Sequence, residues 1–332
     1  MKAVCFDRYG PPSVLSVTER DPPVLKPNEV LVEIRASAIN PSDVGNVAGV
    51  FHTSLPRVPG RDYAGVVAAG NAPVGQQVWG SGPGFGVIRD GAHADYAVVS
   101  ADWLSVKPSC LTMEQAAAVG VPFVTAWSAL VTRGQIQAGE TILITGAAGA
   151  VGRAASQIAA WKGARVIPAI RVTGGGSGDD TAGVIDTLTQ NIPNAVRDLT
   201  GGGGADLVLD TVGGELFEPA LTSLREGGRH IAIASRGMPR VSFNLIDFYH
   251  NKAHLIGVDS LKLTGPEIAG MMDQLRPGFE TGVLHPFEVA VWPLARAVEA
   301  YQAAGRGGPV KQVLLPRNGQ ETAVSLGQPG GS

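Results

Sequence analysis

The stretch Thr145-Gly-Ala-Ala-Gly-Ala-Val-Gly152 decides how this chain is read. Before it stands Thr141-Ile-Leu-Ile-Thr145, an apolar run with the pattern of a buried strand, and after it Arg153 to Lys162 reads as a helix. From Ala147 the turn is A-x-G-x-x-G, a small-residue form of the dinucleotide-binding fingerprint. Gly149 lets the backbone approach a pyrophosphate, Gly152 lets the helix close on its strand, and the first-turn N–H groups meet the phosphates. Ala148, Gly149, Ala150 and Val151 supply those backbone contacts. A merely tight strand–helix turn carries similar glycines, but the flanking strand and helix favour the binding turn.

Outward from this turn the chain alternates strand and helix. Residues 165–170, 205–210 and 230–234 are further apolar runs, so an α/β unit with a parallel, doubly wound sheet is expected. About 20 residues past the fingerprint, where a carboxylate usually accepts a ribose 2′-hydroxyl, stands Arg171. No acidic residue lies between Gly152 and Ser177. A guanidinium suits a 2′-phosphate, which points to NADPH, although an Arg at a strand end is also an ordinary solvated residue. Thr173 and Ser177 are alternative phosphate contacts in the following Gly-rich segment. Towards the N-terminus the texture is different. Short apolar runs at 30–35, 66–69 and 96–99 lie between Pro and Gly clusters and predict a β-rich unit. Thr112 reads as the N-cap of a helix supported by Glu114. Helices are expected near 267–274 and 294–304, a strand over 310–315, and a frayed tail over 317–332.

Composition bounds the function. The 332 residues are 44% hydrophobic and 17% charged, enough apolar material for a substantial core. A net charge of −3 argues against a general nucleic-acid binder. Cys5 and Cys110 cannot build a disulfide framework or a four-thiolate zinc site. No run of about 20 apolar residues and no signal-peptide pattern is present, so a soluble cytoplasmic protein with no membrane contact is expected. His250 and His254 are spaced for one helix face, but their neighbourhood reads as a turn into a strand, and no metal site is expected there.

An ordered series of segments resembles the zinc-independent medium-chain dehydrogenases/reductases, in the quinone oxidoreductase (zeta-crystallin-like) branch. The series is Met1-Lys-Ala-Val4, Asn40-Pro-Ser-Asp43, Pro59-Gly-Arg-Asp-Tyr-Ala-Gly-Val-Val67, Thr125-Ala-Trp-Ser-Ala-Leu130, the Gly146–Gly152 turn, Asp206-Leu-Val-Leu-Asp-Thr-Val-Gly-Gly214 and Val310-Lys-Gln-Val-Leu-Leu315. The resemblance implies a GroES-like β-rich catalytic domain from 1–122 and 262–332 around a Rossmann domain from 123–261, with the cofactor in the cleft. It also implies a homodimer paired through an edge strand at Ala253–Gly257. Zinc-dependent cousins carry Cys after the second strand and His in a Gly-His-Glu triplet. Here those places read Asn40-Pro-Ser-Asp43 and Gly60-Arg61-Asp62, so no metal is expected.

By the same resemblance Asn40 lies near the nicotinamide ribose, though an Asn before Pro also forms turns unaided. Thr125 contacts the cofactor at the start of a linker helix, a place equally suited to an N-cap. Val212 follows a strand end, Ala232 to Ser235 close the next strand beside the nicotinamide or its ribose, and Lys311 approaches from the last strand or is a plain surface lysine. Relatives often carry a Tyr shortly after the Asn-Pro-x-Asp turn. Residues 44–51 have none, and Tyr63 reads as a core aromatic, so no proton donor is assigned. The implied activity is NADPH-dependent reduction of quinones or α,β-unsaturated carbonyl compounds without zinc. An enoyl-thioester reductase, with Arg236 and Arg240 as candidates for a basic entrance, and a catalytically idle NADPH-binding protein are the alternatives.

Overall fold

The computed structural model describes residues 1–172, 183–235 and 237–316. Thr173, Ser177, Arg236, the Gly-rich segment 174–178 and the tail 317–332 therefore lie outside the described residues.

The N-terminal part holds β1 (Lys2–Cys5), β2 (Ser16–Glu19), β3 (Glu29–Ala38), β4 (Asp62–Gly70), β5 (Gln77–Ser81), β6 (Tyr96–Ser100) and β7 (Ser105–Val106), with α1 (Pro41–Val47) after β3. Then come α2 (Met113–Ala117), α3 (Gly120–Trp127), β8 (Thr141–Thr145), α4 (Ala150–Trp161), β9 (Arg165–Ile170), β10 (Ile185–Asp186) and α5 (Ile192–Leu199). The chain continues through β11 (Ala205–Asp210), α6 (Phe217–Thr222), β12 (Leu224–Ala232), α7 (Leu245–His250) and β13 (His254–Gly257). It ends with α8 (Gly265–Glu280), β14 (Val289–Pro293), α9 (Ala297–Arg306) and β15 (Lys311–Leu315).

Strands β8 to β13 form one sheet in the order β10-β9-β8-β11-β12-β13, all parallel. The direction of winding reverses between β8 and β11, the switch point where open α/β sheets bind ligands at the carboxyl ends of their strands. The fingerprint turn leaves β8 at that point. Strands β8 and β11 are buried on both faces, as helix-covered parallel strands must be, and their apolar runs show it. Pro168 is an unusual residue within a strand. β10 pairs only with Ala169 and Ile170, so among the described residues Pro168 sits where that side of β9 has no partner strand.

The second sheet runs β14-β15-β3-β4-β5-β7, with β6 also on β3. Residues far apart in the chain thus share one sheet: Val313 and Leu314 of β15 pair with Ala38 and Ser37 of β3. The strand predicted over 30–35 is the middle of a ten-residue strand, and that over 66–69 the end of a nine-residue one. Thr112 caps α2 as expected, but the reciprocal partner is Gln115, not Glu114. His250 closes α7 and His254 opens β13, so no helix carries both. Phe123 of α3 meets Phe279 of α8, with ring centroids 5.1 Å apart, so one aromatic core joins the helices at the junction of the two sheets. No helix among the described residues is long and apolar enough to cross a membrane.

Candidate active site

Gly152 explains the turn after β8. A Cβ there would lie 2.5 Å from the Gly146 carbonyl oxygen and 2.6 Å from Ala147 Cα, so only glycine lets α4 seat this close to its strand. Gly146 adopts φ +65° with no room for a side chain, since a Cβ would fall 2.4 Å from Thr211 Oγ1. Gly149 is the N-cap of α4, and its own N–H is spent on Gly146 O at 2.9 Å. The first-turn N–H groups of Ala150, Val151 and Gly152 have no carbonyl of their own helix to meet, and Ala148 and Gly149 are exposed above them. A turn of this geometry could hold a pyrophosphate.

The ends of β8 and β11 are stitched together. Thr145 Oγ1 donates to Asp210 Oδ1 at 2.6 Å, and the same oxygen accepts from the N–H groups of Val212 (3.0 Å) and Gly213 (2.9 Å). Burial alone would raise the Asp210 carboxyl, but these hydrogen bonds together with the His230 ring hold it below its usual range. Val212 is thereby fixed beside Gly146. Ser235 backs Gly213, and its hydroxyl donates to Met238 O. The strand containing Ala232 ends at that residue, two short of the expected end.

Asn40, the N-cap of α1, is buried and hydrogen-bonded through its amide and its backbone N–H. Its Oδ1 accepts from Lys311 Nζ at 2.6 Å, its Nδ2 donates to Asp62 Oδ2 at 2.8 Å, and its N–H donates to Asp43 Oδ2 at 2.8 Å. Asp62 in turn accepts from the Val121 N–H at 2.9 Å, tying β4 to the first turn of α3. Lys311 is no surface lysine: it is 6% exposed and also donates to Ile39 O. Burial lowers its ammonium, partly offset by Asp62 and Asp43, while burial raises both of those carboxyls. Arg153, in the first turn of α4, donates to Pro309 O at 2.6 Å and so links α4 to the segment leading into the strand that carries Lys311.

Thr125 is not an N-cap. It lies inside α3, 6% exposed, and its Oγ1 has no hydrogen-bond partner among the described residues. A buried hydroxyl without a partner is costly, and a bound ligand would satisfy it. Tyr63 is buried against Phe85, as a core aromatic, and burial raises its phenol.

Arg171 is exposed at the end of β9. The structure also brings Asp186 there, a residue that sequence reasoning missed because it lies beyond the segment searched for carboxylates. Asp186 pairs with Ile170, and Oδ1 accepts from the N–H groups of Val172 and Leu188 while Oδ2 accepts from Thr189 Oγ1. Those bonds, that of Leu188 foremost, lower its carboxyl and spend it on the turn.

These features match known proteins along most of the chain. Residues 26–109 fit the model "Alcohol dehydrogenase GroES-like domain" and residues 150–275 the model "Zinc-binding dehydrogenase". A zinc-type alcohol dehydrogenase-like protein of Schizosaccharomyces pombe is 37% identical over 290 residues, 85% of this chain and 86% of that protein. The quinone oxidoreductase of Sus scrofa is 30% identical over 327 residues, 95% of this chain and 98% of that one. The chain belongs to the medium-chain dehydrogenase/reductase family. A crystal structure of an alcohol dehydrogenase superfamily protein from Novosphingobium aromaticivorans superposes on this family member with a TM-score of 0.83 at 30% identity, covering 96% of this chain and 100% of that one.

The family implies a nicotinamide cofactor, and the open cradle and the unpartnered Thr125 hydroxyl fit one. One matching model carries zinc in its description, and the donor set does not fit that ion. Asn40 and Arg61 stand at the two ligand places, the Asp62 oxygens are taken by Asn40 and Val121, and Lys311 puts a second cation in the site. Among the described residues no group of three or more His, Cys, Asp or Glu could hold a metal.

Proposed function

We propose that this protein is an NADPH-dependent reductase of quinones or α,β-unsaturated carbonyl compounds that works without zinc. The observation that supports the reading is the hydrogen-bonded set Lys311–Asn40–Asp62, an ammonium, an amide and a committed carboxylate at residues where the resemblance puts the zinc ligands of metal-dependent relatives. Without a Lewis acid an alcohol is poorly activated, whereas a conjugated acceptor needs orientation and support for a developing oxyanion. A bound nicotinamide supplies the hydride. Ala148 to Val151 hold its pyrophosphate at the α4 N-terminus, Thr125 and the second N–H of the Asn40 amide meet its nicotinamide end, and Val212 and Ala232 to Ser235 border it. Lys311 fixes the Asn40 amide by occupying its oxygen. Arg171 receives the 2′-phosphate, with Asp186 committed to its own turn. The cofactor lies between a GroES-like domain (1–122 and 262–332) and a Rossmann domain (123–261).

We also propose a homodimer in which β13 pairs with its copy. Support comes from the exposed Leu255 on that edge strand and from Leu245, Ile246 and Tyr249 on the adjoining α7. The expected partners are a small-molecule quinone or enone and a second copy of the chain, in the cytoplasm, with no nucleic acid and no membrane.

The test is a titration of the pure protein with NADPH and NADH, followed by NADPH oxidation with quinones, enones and enoyl thioesters, before and after chelation. Oxidation of NADPH by quinones or enones, with no zinc by elemental analysis, is expected. Activity confined to enoyl thioesters would favour the thioester reductase, binding without turnover an idle cofactor-binding protein, and stoichiometric zinc would overturn the metal-free reading.

A further inference from the structure

Arg61 stands in the same site with donors to spare. It is 4% exposed, yet its Nε has no partner among the described residues. Its remaining nitrogens make only long contacts: Nη1 to Ser42 Oγ at 3.5 Å, and Nη2 to Ser260 O at 3.3 Å and Ser260 Oγ at 3.5 Å. None of the ion pairs among the described residues includes it. Asp43 and Asp62 feel its charge, but Asp62 spends both oxygens on Asn40 and Val121, and Asp43 bonds the Asn40 N–H. A guanidinium carries five N–H donors and keeps its proton. Burying one with so few acceptors is unfavourable unless another acceptor arrives.

The position of this fork shows what that acceptor is. Ser42 belongs to the turn that begins at Asn40, and Ser260 follows β13 as the chain leaves the parallel sheet. The guanidinium therefore reaches from the turn that begins at Asn40 to the segment after β13, close enough for Asp43 and Asp62 to feel its charge. It occupies the place where zinc-dependent relatives put a metal-binding His.

We infer that Arg61, together with the Ser42 hydroxyl, receives the carbonyl oxygen of a conjugated acceptor; this rests on the reductase reading above. In an enone the β-carbon gains the hydride of a reduced nicotinamide, the C=C pair becomes the enolate double bond, and the C=O π pair moves to oxygen. Arg61 donates hydrogen bonds to that oxyanion without losing a proton. The α-carbon then takes a proton from water, which leaves a saturated ketone and the oxidised nicotinamide. In a quinone the same fork holds the oxygen that becomes phenolate. Arg61 is thus a catalytic residue that selects acceptors by their polarised oxygen.

The test uses the full chain with Arg61→Gln and Arg61→Lys. Three quantities are measured: the NADPH Kd by fluorescence, the Kd of 4-nitrophenolate as an oxyanion probe by its absorbance shift, and kcat/KM with 1,4-naphthoquinone and cyclohexenone. Loss of an oxyanion donor from a preorganised site costs about 10²–10³ in rate. Arg61→Gln is expected to lose that much kcat/KM and at least about tenfold in probe affinity, with the NADPH Kd within about twofold of the parent. Arg61→Lys keeps the charge but not the fork, so it falls between the two. Parent-like probe binding and kcat/KM in Arg61→Gln would overturn the inference while the reductase reading stands. Parallel loss of NADPH and probe binding in both variants would also overturn it, since Arg61 would then only join the two halves. If Arg61→Gln shows no cooperative thermal unfolding, the folded Lys variant decides by the same probe, and an unchanged affinity sinks the idea. A parent protein that reduces neither acceptor, yet binds the probe through Arg61, overturns the reductase reading and with it the role in turnover.

Discussion

Replacing Gly152 by Ala adds a single methyl group at the contact that seats α4 on β8. That methyl would begin 2.5 Å from Gly146 O, 2.6 Å from Ala147 Cα and 2.9 Å from Ala147 C, all backbone atoms that cannot swing aside. Reaching an ordinary contact of about 3.4 Å requires a displacement of roughly 0.9 Å, the difference between 3.4 and 2.5, in a close-packed interior. Overpacking of this kind costs about 1–3 kcal/mol, and in a chain this long each kcal/mol lowers Tm by roughly 2–4 °C. The functional effect is larger. A first-turn N–H held about 2.9 Å from a phosphate oxygen would retreat to roughly 3.8 Å, beyond hydrogen-bond reach. Losing one hydrogen bond to a charged group, worth about 1.5–3 kcal/mol, weakens binding roughly 10- to 150-fold. NADPH and NADH must suffer alike, because the pyrophosphate is common to both. Fluorescence titration with each cofactor, alongside thermal unfolding, reads both effects. Parent-like affinity for both cofactors in Gly152→Ala would refute the placement of the cradle.

Three further outcomes follow from the same geometry. Thr125→Val removes a hydroxyl that has no partner among the described residues, so thermal stability should hold or rise while NADPH affinity falls about three- to tenfold by fluorescence titration; unchanged affinity would place the nicotinamide elsewhere. His93 is buried, with Nδ1 2.9 Å from the Tyr301 hydroxyl and Nε2 3.3 Å from Ala38 O, and burial lowers it to about 4 from 6.5. The unfolded chain therefore takes up a proton below about pH 6.5 that the folded chain refuses until about pH 4, so this stabilisation is lost as pH falls through that window. Between pH 7 and pH 5 the parent should lose about 2 kcal/mol more than His93→Gln in urea unfolding, and equal losses would count against a buried neutral imidazole. Arg171→Ala should raise the NADPH Kd roughly fivefold, at the scale of an exposed charge contact, and leave the NADH Kd almost unchanged; loss for both cofactors would assign Arg171 to the adenine end or the fold.

Local sequence determined the parallel sheet and its glycine turn. Strands β8, β9 and β11 coincide with apolar runs, and the turn between β8 and α4 is written in consecutive residues, because its steric demands act between near neighbours such as Gly146 and Gly152. The resemblance of ordered segments supplied the GroES-like half, whose second sheet no short pattern reveals. Lys311 reads in sequence as either a cofactor neighbour or a surface lysine, since nothing near it says that β15 lies against β3 and buries it on Asn40, 271 residues away. Thr125 has the residue type of an N-cap; only the path of α3 buries its hydroxyl without a partner among the described residues. Asp186 reaches the end of β9 by pairing as an edge strand, a long-range event with no local signature. Arg61 is one basic residue among many until β4, α1 and the segment after β13 converge and remove it from water. Steric and hydrogen-bond rules between neighbours are legible along a chain. Burial, and with it the cost of an unmatched donor or charge, exists only once distant segments have packed.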